Sequence, residues 1–201
     1  GVKVGEHQHG GTSGDLGLGH LLPGDRGVYG RVELQDGALK RALALDDAGA
    51  LTLRVAGAAK VLSGSDIGQI LNRLTGMRQG GTDYRVTSAK LFLDGVLENR
   101  TAAMIAPYAD AAGGNAPVMF PQPELDAICT ALDAARFQLH FHCIGDGAAR
   151  AALDALAAAQ AANGVWPSLP QIAHCQIVAE GDLPAALVAR NGRIIRDEAV
   201  R

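Results

Sequence analysis

The chain has 201 residues, of which 48% are hydrophobic, 19% are charged and 4% are aromatic, and its formal net charge is −3. This balance suits a packed α/β domain with an aliphatic core and argues against an extensively disordered chain. The weak negative charge also argues against a nucleic-acid-binding surface, which is strongly basic.

No sequence feature directs the chain to a membrane or to export. No apolar run reaches the roughly 18 residues of a membrane span, and the first residues carry no signal pattern. The three cysteines, Cys129, Cys143 and Cys175, are odd in number and form no CxxC pair, which is typical of reduced intracellular thiols. We therefore expect a cytoplasmic protein with neither a membrane nor a nucleic-acid partner.

The pattern along the chain becomes regular only after an irregular, glycine-rich segment over residues 1–35, where turn formers are frequent. It then predicts a helix over 38–48, a strand over 51–55, a helix capped by Ser65 or Asp66 that ends at Gly80-Gly81, and a strand over 89–93. A long irregular segment follows over 95–121, and loops of this length in a compact domain are usually functional.

The second half of the chain repeats the alternation of helices and strands. The pattern predicts a helix from Pro123 to Arg136, a strand over 137–142, an alanine-rich helix over 147–162, a strand over 171–174 and a helix over 182–190. Residues 191–201 are polar and are assigned to no element. Such alternation indicates βα units around a parallel sheet, either a doubly wound sheet or a piece of a (β/α)8 barrel.

Three polar residues, Lys90, His142 and His174, belong to short predicted strands. In parallel α/β folds the chemistry lies at the C-terminal ends of strands, so these side chains can converge on one metal ion. Neutral imidazole suits zinc and similar ions. An ammonium group does not bind a cation, so Lys90 fits such a site only if CO₂ converts it to a carboxylate-like carbamate.

The neighbours of the two histidines call for simpler interpretations. His140 shares the phase of His142 but lies one pleat deeper, and we interpret it as a structural hydrogen-bonding group. Cys143 and Cys175 directly follow the candidate ligands. Because side chains alternate across a strand, both thiols should point to the opposite face, into packing.

Five short motifs resemble, in order and spacing, the third amidohydrolase family, the branch of the amidohydrolase superfamily that includes N-substituted formamide deformylases. They are Lys-x-Phe-x-Asp-Gly from Lys90, Arg100-Thr-Ala-Ala, Pro107-Tyr-x-Asp, His-x-x-Gly-Asp-x-Ala from His142, and Ile172-Ala-His-x-Gln. The resemblance covers residues 38–184 and implies a (β/α)8 TIM barrel of the metal-dependent hydrolase type, incomplete at both ends, with a partial barrel domain over 36–201.

The resemblance also implies a site and a reaction. Lys90 would be a carbamylated metal ligand, and His142 and His174 would be ligands from the next two strands, with zinc as the default metal in one or two ions. Asp94 and Asp146 would lie behind these ligands, where Asp94 would shape the adjoining loop and Asp146 would orient the loop of His142. The implied reaction is hydrolysis of a C–N bond other than a peptide bond, in a small amide or N-substituted formamide-like substrate, by a metal-activated water.

Two parts of the family pattern are incomplete in this chain. The pattern needs a His-x-His pair on its first strand, and His7 and His9 have that spacing but follow a poor candidate for a buried strand. It also needs an aspartate general base on its last strand, and no aspartate after His174 matches. We therefore expect weak or no activity from the chain alone.

Two further expectations follow from a partial barrel. Unpaired strand edges favour pairing between copies of the chain, and hence a homo-oligomer. The alternative to a hydrolase is a degenerate, non-catalytic barrel fragment that serves as a binding or scaffold module.

Overall fold

The computed structural model describes residues 29–34, 36–52, 54–78, 81–109, 114–182 and 193–196. In this part of the chain six strands form one sheet, in which every neighbouring pair is parallel and the strands follow in chain order. They are β1 (Tyr29–Leu34), β2 (Arg54–Val61), β3 (Tyr84–Phe92), β4 (Gln138–Cys143), β5 (Gln171–His174) and β6 (Arg193–Arg196). A doubly wound sheet reverses its order at a switch point, whereas this order is the one expected of consecutive βα units.

Four helices connect these strands. They are α1 (Asp36–Asp47), α2 (Ile67–Arg78), α3 (Gln122–Ala134) and α4 (Asp146–Asn163), and a 3₁₀ turn follows over Glu180–Asp182. The side chain of Asp66 accepts the N–H of Gln69 at 2.9 Å, which confirms the predicted cap of α2. Within the described residues, none of the helices has the length and apolar character needed to cross a bilayer.

The core lies between the sheet and the helices. Leu91 and Phe141 from the sheet and Leu125 and Ile128 from α3 are buried there. Helix α4 contributes mainly alanines to this core, which lets it lie close to α3 and compensates for the scarcity of aromatic residues. Cys143 and Cys175 are buried in the same cluster, so the prediction that both thiols point into packing is confirmed.

Two central strands differ in extent from their predictions. The strand predicted over 51–55 is β2, which begins at Arg54 and runs through a stretch of small residues to Val61. Alanine and glycine are poor strand formers by themselves, and here the pairing of β2 with both neighbours overrides that preference. Strand β3 begins at Tyr84, five residues before its predicted start, so Lys90 lies near its C-terminal end rather than its beginning.

The sequence pattern did not predict the two outer strands. Residues 29–34, which the prediction placed in the irregular segment, form β1, and residues 193–196 in the polar C-terminal stretch form β6. Among the described residues each of them pairs with one neighbouring strand, so their formation depends on pairing more than on local pattern. The predicted helix over 182–190 lies outside the described residues apart from Asp182.

Replacement of a buried leucine in α3 tests this core. We expect Leu125→Ala to lower the free energy of unfolding by about 2–5 kcal/mol, because Leu125 is 0% exposed and its loss leaves a cavity between helix and sheet. The matched change Leu169→Ala removes a side chain that is 55% exposed and should cost no more than about 0.5 kcal/mol. Urea denaturation monitored by circular dichroism measures both, and equal losses would contradict this placement of the core.

Candidate metal centre

The two faces of the sheet have different roles. One face, which includes Phe141, packs in the core. The opposite face, here called the polar face, carries two rows that strand pairing aligns: Lys60, Lys90, His140 and Gln171 in one row, and Phe92, His142 and Ala173 in the next. The polar face therefore brings the predicted residues Lys90 and His142 to neighbouring strands near their C-terminal ends.

Lys90 is deeply buried on this face, with 2% of its surface exposed. Its Nζ lies 3.2 Å from Nε2 of His140 and 5.1 Å from the centre of the Phe92 ring. His140 is thus a hydrogen-bonding neighbour of Lys90, in keeping with its interpretation as a structural group. A buried lysine is costly unless it is partnered, and these contacts show that the site is built around its side chain.

His142 is held by contacts on several sides. Its Nε2 lies 3.0 Å from the carbonyl oxygen of Gly95, and its ring centre lies 5.1 Å from that of Phe92. The ring of His174 meets that of His142 edge to face, with 4.6 Å between the ring centres and 66° between the planes. The structure thus brings together the two histidines that the sequence placed at separate strand ends.

An unusual backbone conformation brings His174 to the polar face. In the sheet His174 pairs with Cys143, whose side chain lies in the core, and a regular strand would send the imidazole to that side. Instead, His174 has φ 75° and Cys175 has φ 44°, values that residues other than glycine rarely adopt. This left-handed turn directs the ring of His174 toward His142 and leaves Cys175 in the core.

Asp94 connects the strand that carries Lys90 to the loop that follows His142. It is 1% exposed, and its carboxylate accepts the N–H groups of Ala103 at 3.0 Å, Ile144 at 2.9 Å and Gly145 at 2.8 Å. Its Oδ1 also lies 3.7 Å from Nε2 of His142. Burial raises the pKa of Asp94 above its ordinary value, while the three N–H donors and His142 act in the opposite direction.

Two motif glycines, Gly95 and Gly145, allow the segment between β3 and α3 to pack closely over the strand ends. The carbonyl oxygen of Ala103 accepts the N–H groups of Gly147 at 3.0 Å and Ala148 at 3.2 Å, and so caps the first turn of α4. A Cβ atom at Gly145 would overlap this oxygen, and one at Gly95 would overlap the side chain of Thr101. Glycine is therefore required at both positions for the segment to pack over the strand ends.

Asp146 begins α4, directly after the loop that follows His142. Its Oδ1 accepts the N–H of Ile105 at 2.7 Å, so it holds the segment before α3, while Asp94 binds the loop after His142. His7 and His9 lie outside the described residues. The motif patterns indicated no role for Phe92, although the Phe of Lys-x-Phe lies one pleat beyond Lys90 and therefore on the same face.

The described residues fit part of a metal site. Two imidazoles that bind one ion at about 2.0–2.1 Å have ring centres roughly 5 Å apart, close to the 4.6 Å between His142 and His174. No group of three His, Cys, Asp or Glu residues within the described ranges is arranged to hold a metal ion. The pair therefore fits as two ligands, and further ligands would have to be Lys90 in another chemical form or groups outside this set.

The family comparison agrees with this geometry. The model of the amidohydrolase family matches residues 25–199. The chain belongs to the amidohydrolase family. Among curated proteins, the chain is 40% identical over 91 residues to the exoenzymes regulatory protein AepA of Pectobacterium carotovorum subsp. carotovorum, a match that covers 44% of the chain and 18% of AepA.

Solved structures support the same fold. An uncharacterized metal-dependent hydrolase from Pyrococcus furiosus matches with a TM-score of 0.65 and 25% identity, over 79% of this chain and 31% of the hydrolase. A second, from Pyrococcus horikoshii OT3, matches with a TM-score of 0.66 and 23% identity, over 84% of this chain and 32% of the hydrolase. The α/β fold with its parallel sheet therefore matches part of these hydrolases, and the chain spans about a third of their length.

Removal of the charge at Asp94 tests its role as the connection between the loops. We expect Asp94→Asn to lower the free energy of unfolding by about 2–4 kcal/mol, because a carboxamide offers one oxygen to three N–H donors and turns its own NH₂ toward one of them. Asp146→Asn should cost less than about 1 kcal/mol, since its remaining oxygen still accepts the single N–H of Ile105. Chemical denaturation measures both, and similar costs for the two variants would contradict the assigned role of Asp94.

Proposed function

We propose that this chain is part of a metal-dependent hydrolase that cleaves a C–N bond, other than a peptide bond, in a small amide or N-substituted formamide. The observation that carries the proposal is the contact between His142 and His174 on the polar face that also buries Lys90. Membership of the amidohydrolase family and similarity to metal-dependent hydrolases support it. We also propose that the sheet is part of a (β/α)8 barrel.

Within this proposal His142 and His174 hold a divalent ion, with zinc as the default. The ion, when bound, activates a water and polarises the scissile carbonyl. Lys90 joins the site as a carbamate formed from its amine and CO₂, with release of a proton. Nε2 of His140, 3.2 Å from Nζ of Lys90, is placed to accept that proton when it is unprotonated.

The remaining residues keep the ligands in position. Phe92 lies against the ring of His142 and beside the Lys90 side chain, and so limits the movement of both. Asp94 holds the loop after His142 through backbone hydrogen bonds. Among the described residues, none is assigned as the general base of the reaction.

A degenerate, non-catalytic fragment is the second candidate. The absence of a three-ligand cluster of His, Cys, Asp or Glu within the described ranges favours it. In that case the same face would bind a partner or a small ligand without turnover. Metal binding separates the two candidates before any substrate is known.

Histidine replacement tests the metal site. We expect His142→Ala and His174→Ala each to weaken zinc binding by at least about 100-fold, because loss of a ligand costs more than the 10- to 100-fold typical of an outer partner. His20→Ala, the same change at a histidine with no assigned role, is the control. Competition with a chromogenic chelator measures affinity, and unchanged zinc binding in both ligand variants would favour the scaffold.

Lysine carbamylation can be observed directly. In ¹³C-labelled bicarbonate we expect ¹³C NMR to show a carbamate signal for the zinc-loaded chain that is lost in Lys90→Arg, because the guanidinium does not react with CO₂. The accompanying assay with an N-substituted formamide should show weak or no turnover. An identical signal in Lys90→Arg would assign the carbamate elsewhere, and robust turnover would show that the missing ligands are supplied.

A further inference from the structure

The polar face carries a second lysine that none of the family motifs includes. Lys60 is the penultimate residue of β2 and pairs with Lys90, so the two side chains point to the same face. Unlike Lys90, Lys60 is exposed. It therefore presents a solvated cation at the C-terminal edge of the sheet, where the two histidines also lie.

The position of the Lys60 ammonium relative to the histidines is defined through Phe92. Nζ of Lys60 lies 4.8 Å from the centre of the Phe92 ring. The same ring lies 5.1 Å from the ring centre of His142 and 5.1 Å from Nζ of Lys90. Contact with an aromatic face restricts the ammonium without neutralising it, so the charge of Lys60 stays available at the C-terminal edge of the sheet.

The carboxylate of Glu124, which meets the turn after β2, accepts hydrogen bonds from the Ser63 hydroxyl and from the N–H of Gly64. Within the described residues Lys60 forms no ion pair with a carboxylate. The nearby carboxylate of Asp94 is buried and already accepts three backbone N–H groups. An exposed cation of this kind attracts an anion from solution.

We propose that Lys60 binds a carboxylate, so that the preferred substrate is an amide that also bears a negative charge. This inference rests on the proposed hydrolase function and adds the charge class of its substrate. A carbamate on Lys90 is the other carboxylate-like group that Lys60 could bind, because Lys90 pairs with Lys60 in the neighbouring strand. The experiment therefore has one arm for each source.

The first arm compares two probes that differ only in charge: racemic N-formylleucine and racemic N-formylleucinamide. Binding is measured by ¹H–¹⁵N NMR titration of the metal-free full chain, so it requires neither metal nor turnover. We expect the wild-type chain to bind the acid about threefold more tightly than the amide, the range of an exposed ion pair, with a smaller preference at high salt. Because the titration needs no metal, its outcome can be read even when the zinc-binding test fails. Failure of this inference and failure of the hydrolase proposal are therefore distinguishable.

Three variants isolate the role of the Lys60 charge. In Lys60→Met the ratio of the two dissociation constants should fall to about one, within the few-fold range of an exposed ion pair. Lys60→Arg, which keeps the charge, should retain most of the preference. Lys40→Met removes the same charge from an exposed position in α1 and should leave the ratio unchanged.

The second arm repeats the ¹³C NMR measurement in labelled bicarbonate with Lys60→Met. An undiminished carbamate signal together with a lost preference for the acid supports the proposal. Loss of the carbamate signal with an unchanged ratio overturns it, because Lys60 would then serve Lys90. Equal loss of preference in Lys40→Met, or a wild-type chain that binds neither probe at millimolar concentration, also overturns it.

Discussion

One buried carboxylate determines how the loops of this protein meet at the end of the sheet. Asp94 lies two residues after the end of β3, and it accepts backbone N–H groups from the segment before α3 and from the turn between β4 and α4. Desolvation of a carboxylate is costly, and hydrogen bonds of this number and geometry are what offset the cost. The positions of His142, of the first turn of α4 and of the Ala103 carbonyl all depend on that arrangement.

Local patterns predicted much of the fold, and they failed where pairing decides the structure. The helices, the Asp66 cap and the bounds of β5 follow from periodicity and capping chemistry. Strand β2 consists largely of alanine and glycine, and only its two neighbours make it a strand. The outer strands β1 and β6 each depend on one partner far away in sequence, which a local pattern does not reveal.

The sequence likewise predicted only part of the candidate site. Strand-end positions and family motifs were sufficient to select Lys90, His142 and His174 for the polar face. The contacts of Phe92 with Lys60 and His142 arise from the register between strands, which no single stretch of sequence contains. The conformation of His174 was equally hidden, because simple alternation along β5 would have placed its side chain on the side of the core.

The left-handed turn at His174 links the packing of the core to the orientation of the His174 ring, which is a candidate metal ligand. Backbone bonds from Cys175 to Cys143 and from Ile177 to Ile144 hold the turn, and the buried side chain of Cys175 anchors it from the opposite face. The orientation of the imidazole is thus determined when the core forms. In the proposed metal site, ion affinity and core packing at Cys175 should therefore vary together, as two readouts of one conformational equilibrium.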